Sequence, residues 1–127
     1  MNIEDFTIIN DPRAQAVHDF DIAFYNHDME TVIRFLEPDF IWEIAGADRL
    51  EGRTAFINEA IKNPMNWGIG ITFEGVLASR TQAAAWGFFQ AQARLWMAYA
   101  NLYELVDADE LRIKKITTIY HPSTRTT

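Results

Sequence analysis

Between Pro38 and Arg53 the chain reads PDFIWEIAGADRLEGR, which sets one ionisable side chain, Glu43, between an indole and an aliphatic group, Trp42 and Ile44. The apolar run around it predicts a short buried strand, Phe40 to Ala45. A carboxylate buried there needs a partner, a water-filled cavity or a proton to offset its desolvation. Facing inward, Glu43 is a general base or acid for proton transfer. Facing outward, it belongs to a surface salt bridge, and Phe40, Trp42 and Ile44 turn to the interior instead. One residue of strand slip decides between these two arrangements.

Other side chains extend the chemical inventory. Trp42, Trp86, Phe88, Trp96, Tyr99 and Tyr103 are dense aromatics on predicted strands, suited to walling an apolar pocket for a flat or cyclic ligand, to core packing or to a dimer face. Gln90, Gln92, Asn101 and Tyr103 are polar residues inside apolar strands. Buried, they must find partners, in a ligand carbonyl or across neighbouring strands. His18, His27 and His121 have no metal-ligand spacing and no H-E-x-x-H motif, so a metal is not expected. The chain has no cysteine, which excludes disulfides and thiolate chemistry. No serine sits in a nucleophile elbow and no glycines form a phosphate loop, so nucleophilic and nucleotide chemistry are not expected.

Positioning these groups falls to elements that the pattern resolves. Asp11-Pro12 starts a helix that runs to about Asn26, with Ala16, Val17, Phe20, Ala23 and Phe24 on its apolar face and Arg13, Gln15, Asp19 and Asp21 falling mostly elsewhere. Asp28 caps a second helix, Met29 to Leu36, which Pro38 stops. Gly46 and Gly52 bracket a loop or short hairpin, and a third helix spans Arg53 to Asn63, ended by Pro64. From Gly70 the chain reads as four long strands, Ile71 to Ser79, Gln82 to Ala93, Leu95 to Val106 and Leu111 to His121, joined by hairpin turns. In the second of these, Trp86, Phe88 and Gln90 alternate with small residues. The row Ala83, Ala85, Gly87, Ala91 and Ala93, joined by Phe89, suits close approach of another sheet and predicts a homodimer. The tail after His121 is expected to fray.

At 127 residues, 49% apolar and 23% charged, the chain fits one α+β domain spanning residues 1–127. Eleven Lys and Arg against eighteen Asp and Glu give a net charge of −7, which argues against binding nucleic acid phosphates. The acidic opening MNIEDFTIIND is unlike a secretory signal, and no apolar run is long enough to span a bilayer, so no membrane partner and a cytoplasmic location are expected.

In order, Asn26-His27-Asp28, Pro38-Asp39-Phe40-Ile41-Trp42-Glu43, Leu50-Glu51-Gly52-Arg53 and the last strand, Arg112-Ile113 on to Tyr120, resemble the nuclear transport factor 2-like superfamily. Within it they resemble the SnoaL-like polyketide cyclase and ketosteroid isomerase group. The resemblance covers about Asp11 to His121. It implies a cone-shaped fold, three N-terminal helices packed on a strongly curved, mainly antiparallel sheet, with a pocket in its mouth. It also implies a cofactor-free isomerase, cyclase or dehydratase acting on a small apolar or cyclic organic ligand, or a non-catalytic binding or dimerisation module. Glu43 would move the proton, and Tyr103 or Asn101 would stabilise oxyanion charge. Trp42, Trp86 and Phe88 would shape the pocket, with Phe20, Phe24, Gln90 and Tyr120 completing its lining. The isomerases' base falls on Ile44, or on Glu43 after a one-residue shift. Their oxyanion Tyr falls on Phe20, and their oxyanion Asp on Leu102 or Tyr103. That is a poor match for steroid isomerisation.

Overall fold

The computed structural model describes residues 2–5, 9, 11–62, 70–92 and 95–123. Along the chain these form β1 (Asn2–Asp5), α1 (Pro12–Tyr25), α2 (Met29–Phe35), β2 (Leu36–Ile44), β3 (Arg49–Glu51), α3 (Arg53–Lys62), β4 (Gly70–Ala78), β5 (Gln82–Gln92), β6 (Leu95–Leu105) and β7 (Ile113–Pro122). Local chemistry explains the helix starts. The Asp11 carboxylate accepts from the amides of Arg13 at 2.7 Å and Ala14 at 3.3 Å, with Pro12 at the first helical position. Asp28 accepts from the Thr31 amide at 3.2 Å and its hydroxyl at 2.6 Å. His27, with φ 59, makes the left-handed turn between the two helices.

The seven strands form one sheet in the order β1-β4-β5-β6-β7-β2-β3. β4 to β7 pair antiparallel as successive neighbours, β3 pairs antiparallel with β2, and β1 on β4 and β2 on β7 are parallel. The strongly curved, cone-forming sheet expected from the sequence is not found: the sheet is open, with β1 and β3 at its edges, and neither strongly curved nor closed. Alternation along strands specifies faces. Curvature depends on how bulges and edges accumulate across the sheet. The helices lie against one face, where Val17, Phe20, Val32, Leu36, Phe40, Phe56 and Tyr103 build the core, so the space beneath them is filled with side chains.

β5 presents its faces in the reverse of the expected sense. Ala83, Ala85 and Gly87 face the helices and are buried, whereas Trp86, paired with Gly75 and Ala100, lies on the outer face and is 39% exposed. Ala83 and Ala85 join the core beneath the helices, and Gly87 leaves room for the Thr72 carbonyl and the Tyr99 hydroxyl of the neighbouring strands. Pro38 does not simply stop α2: it lies inside β2, where the register with β7 shifts between Leu36 and Ile41 and a residue without an amide donor is tolerated. β1 was not expected as a strand, and β3 takes the short-hairpin alternative offered for the stretch between Gly46 and Gly52. Pro64, Ala93 and the end of the tail lie outside the described residues. No described helix is long and apolar enough to cross a membrane.

Candidate functional site

Asp21 is 3% exposed, in the middle of α1, and faces the sheet. The Tyr103 hydroxyl, on β6, donates to Asp21 Oδ1 at 2.5 Å, while Oδ2 is buried without a hydrogen-bond partner among the described residues. Burial pushes the Asp21 carboxyl up from 3.8 to about 7, and the hydrogen bond from Tyr103 opposes that rise. The same burial, followed by the nearby Asp21 charge, holds the Tyr103 hydroxyl well above its ordinary value of 10.0. Tyr103 therefore stays a neutral donor, and Asp21 is the group that changes charge near neutrality.

Beside Asp21 is a cavity of about 30 Å³, walled by Phe20, Phe24 and Tyr25 of α1, Trp42 of β2, Phe56 of α3, and Asn101, Ile116 and Thr118 of the sheet. A chain of hydrogen bonds crosses its wall. Trp42 Nε1 donates to Thr118 Oγ1 at 2.9 Å, and Thr118 Oγ1 donates to Asn101 Oδ1 at 2.7 Å. The Asn101 side chain in turn hydrogen-bonds the Tyr25 hydroxyl, whose pKa is raised by burial and by Asp21 and lowered by Asn101. An indole, a hydroxyl, an amide and a phenol thus line one largely apolar pocket together with a carboxyl, a setting in which a proton can be held and moved at neutral pH. The larger concavity, about 590 Å³, is an open groove over the outer face along Leu77, Ala84, Leu102, Glu104 and Thr117. It collects no buried carboxyl, so volume and chemistry lie on opposite faces of the sheet, and the chemistry marks the candidate site.

No protein-family model matches this sequence, and no curated protein matches it either. Solved structures do. An NTF-2 like protein from Burkholderia xenovorans LB400 superposes with a TM-score of 0.73 at 11% identity, covering 91% of this chain and 87% of its own. A putative ketosteroid isomerase from Kribbella flavida DSM 17836 gives 0.72 at 15% identity over 91% and 82% of the two chains. The M. tuberculosis LEH-like epoxide hydrolase gives 0.66 at 18% identity over 86% and 82%. The chain has the NTF2-like fold. At these identities the likeness concerns the backbone, and the site must be argued from this chain's own residues.

Within the NTF2-like scaffold the sequence-predicted residues separate into two groups. Phe20, Phe24, Trp42 and Asn101 meet at the cavity, and Tyr103 reaches it through Asp21. Glu43 is elsewhere: it pairs in register with Thr117 on the other face, and its carboxylate lies 3.1 Å from Arg49 and 3.7 Å from Lys115. Trp42 is the wall and Glu43 the surface ion pair, the outward arrangement of the two that the sequence allowed. Trp86, Phe88 and Gln90 pair with Ala100, Ala98 and Trp96 along the outer parity of β5. Tyr120 packs edge-on to Phe89, 6.1 Å away, at the far end of the inner face.

The sequence reading missed Asp21, Tyr25, Phe56 and Thr118. A signal for Asp21 existed: Val17, Asp21 and Tyr25 follow at four-residue steps, so all three share one helical stripe. Asp21 and Tyr103 also sit on the elements, first helix and penultimate strand, where the resemblance to the isomerases looked for a Tyr and an Asp.

Proposed function

We propose that this protein is a small-molecule enzyme of the isomerase, cyclase or dehydratase type, working by general acid–base catalysis at the cavity beside Asp21. The single observation that carries this reading is the Asp21 carboxyl itself: buried, raised to about 7, held through Oδ1 by Tyr103 and presenting an Oδ2 with no partner among the described residues. As the carboxylate, Oδ2 takes a proton from carbon next to a carbonyl. As the acid it returns that proton at the shifted position. Tyr25 and Asn101, on the same wall, would hold the oxygen that gains charge. Among the described residues no cluster of three His, Cys, Asp or Glu could hold a metal. Solved structures of the same fold include a putative ketosteroid isomerase and an LEH-like epoxide hydrolase, in keeping with a small-molecule enzyme.

The test is exchange of α-protons from a panel of small cyclic ketones in D2O, followed by proton NMR. The rate should rise with pH through about 7, and Asp21→Asn should lower it by roughly 10²- to 10⁴-fold, the usual contribution of a positioned acid or base. Undiminished exchange in a folded Asp21→Asn variant would remove Asp21 from the mechanism.

The second reading is a non-catalytic binding or dimerisation module. The apolar outer face favours it: Leu77 is 66%, Leu102 44% and Ile119 43% exposed there, beside Trp86. In either reading we propose that two copies pair through this face of the sheet.

A further inference from the structure

We propose that Phe56 plugs the cavity beside Asp21, with α3 as the wall that yields, and that the ligand it admits is a compact, neutral, ring-sized molecule carrying a hydrogen-bond donor. This rests on reading the cavity as a ligand site, though not on the chemistry performed there. About 30 Å³ has room for a water molecule, for which on the order of 10–15 Å³ suffices, and falls far below the several hundred Å³ of sites that bind organic molecules. A wall must therefore move for any organic ligand to reach Asp21.

Most walls are held from several sides. α1 buries seven residues, and its cavity residues are tied down: the Phe20 ring lies edge-on to Phe35 at 5.8 Å and to Tyr103 at 6.4 Å, and Asp21 is bonded to Tyr103. Trp42, Asn101, Ile116 and Thr118 stand on paired strands in the interior of the sheet. The Phe56 ring is packed as well, buried among Phe24, Phe40 and Trp42, but the helix that carries it is less buried than α1. That helix, α3, buries only Phe56 and Ala60 and leaves Ile61 64% exposed. Gly52, with φ 96, immediately precedes that helix, and the Arg53 guanidinium ties its first turn to the Leu36 carbonyl at 3.2 Å. A pivot at Gly52 and Arg53 carries Phe56 away from the cavity while the first turn stays attached.

The Phe56 ring stacks on Phe24 at 5.7 Å and meets Phe40 at 5.0 Å and Trp42 at 5.7 Å edge-on. An aromatic ring is thus the shape already accommodated between Phe24 and Trp42, and a ligand ring can take its place. Asp21 Oδ2, buried and without a hydrogen-bond partner among the described residues, adds the polar requirement: the occupant donates to a carboxylate.

Phenol and toluene separate these two requirements, since they share a ring and differ in the donor. Titrated at pH 8 into the whole protein and followed by amide NMR shifts, phenol should bind Phe56→Ala at least tenfold more tightly than wild type. Its largest shifts should fall at Asp21, Asn101 and Thr118. It should also bind Phe56→Ala more tightly than toluene does, and that preference should disappear in Phe56→Ala combined with Asp21→Asn. Where Phe56→Ala does not fold, Phe56→Leu should show a smaller gain of about threefold. Equal phenol affinity in wild type and the folded variant, or shifts centred on Leu77 and Leu102 of the outer groove, would overturn the plug. Equal affinities for phenol and toluene would overturn the ligand class. None of these readouts requires turnover, so the loss of Asp21-dependent proton exchange would sink the acid–base reading and leave the plug standing.

Discussion

Asp21 shows how a single residue can be hidden by its own chemistry. A carboxylate on a helix is ordinarily solvated, and that expectation assigned Asp21 to the polar side of α1, although its spacing to Val17 and Tyr25 put it on the buried stripe. Tyr103 and Asn101 were legible for the opposite reason: a polar group inside an apolar strand must find a partner, and theirs are Asp21 and Thr118. The buried carboxyl makes stability depend on pH. Its pKa rises from 3.8 to about 7 on folding, so the folded state holds the proton more tightly than the unfolded chain. The stabilisation is therefore complete below about pH 4 and is lost as pH rises through 7. Relative to Asp21→Asn, the wild type should lose roughly 2–3 kcal/mol between pH 5 and pH 8, measured by urea unfolding at both values. A difference between the two proteins that does not change with pH would mean that Asp21 is not protonated in the folded state. Glu43→Gln, by contrast, breaks a partly exposed ion pair with Arg49 and Lys115, and should cost no more than about 1 kcal/mol in the same assay.

Among the elements, the helices and the four long strands were readable because caps, prolines and alternation mark them locally, and they begin and end within a few residues of the expected places. β1 was not, and β3 only as one alternative of a loop or short hairpin, because a four-residue and a three-residue strand carry little pattern of their own and depend on the neighbours they pair with. The faces of β5 were misread for a related reason. Both of its faces are apolar, so alternation separates large from small residues without saying which set meets the helices. Close approach decides it. A Cβ on Gly87 would lie 2.0 Å from the Thr72 carbonyl oxygen and 2.9 Å from the Tyr99 hydroxyl, which itself donates to that carbonyl at 2.9 Å. Because the obstacle is backbone, it cannot swing aside. Gly87→Ala should therefore destabilise the protein by about 1–3 kcal/mol, seen as a lower urea midpoint with an unchanged slope. An unaltered midpoint would show that β4 and β5 can separate there at no cost.

For the whole molecule, an open sheet with helices on one face leaves the other face to be explained. Leu77, Leu102 and Ile119 stand on it with Trp86, whose ring lies over Gly75: a Cβ there would meet indole carbons at 2.2 Å. Trp86 therefore packs against the β4 backbone at Gly75, with part of its indole left exposed on the outer face. A net charge of −7 repels copies at long range, so pairing must come from apolar contact at short range, through a patch that is the same on both partners. That logic separates the proposed dimer from the site beneath the helices. Leu102→Glu puts a carboxylate in the middle of the outer face without touching the core, since Leu102 pairs there with Ala84 and Thr117. Sedimentation at micromolar concentration should give a dimer for the wild type and a monomer for Leu102→Glu, with phenol affinity in the Phe56→Ala background unchanged by the added substitution. A wild-type monomer would end the pairing proposal. Phenol affinity that fell together with the dimer would show that the cavity depends on the second copy, and that the two faces of the sheet are coupled rather than separate.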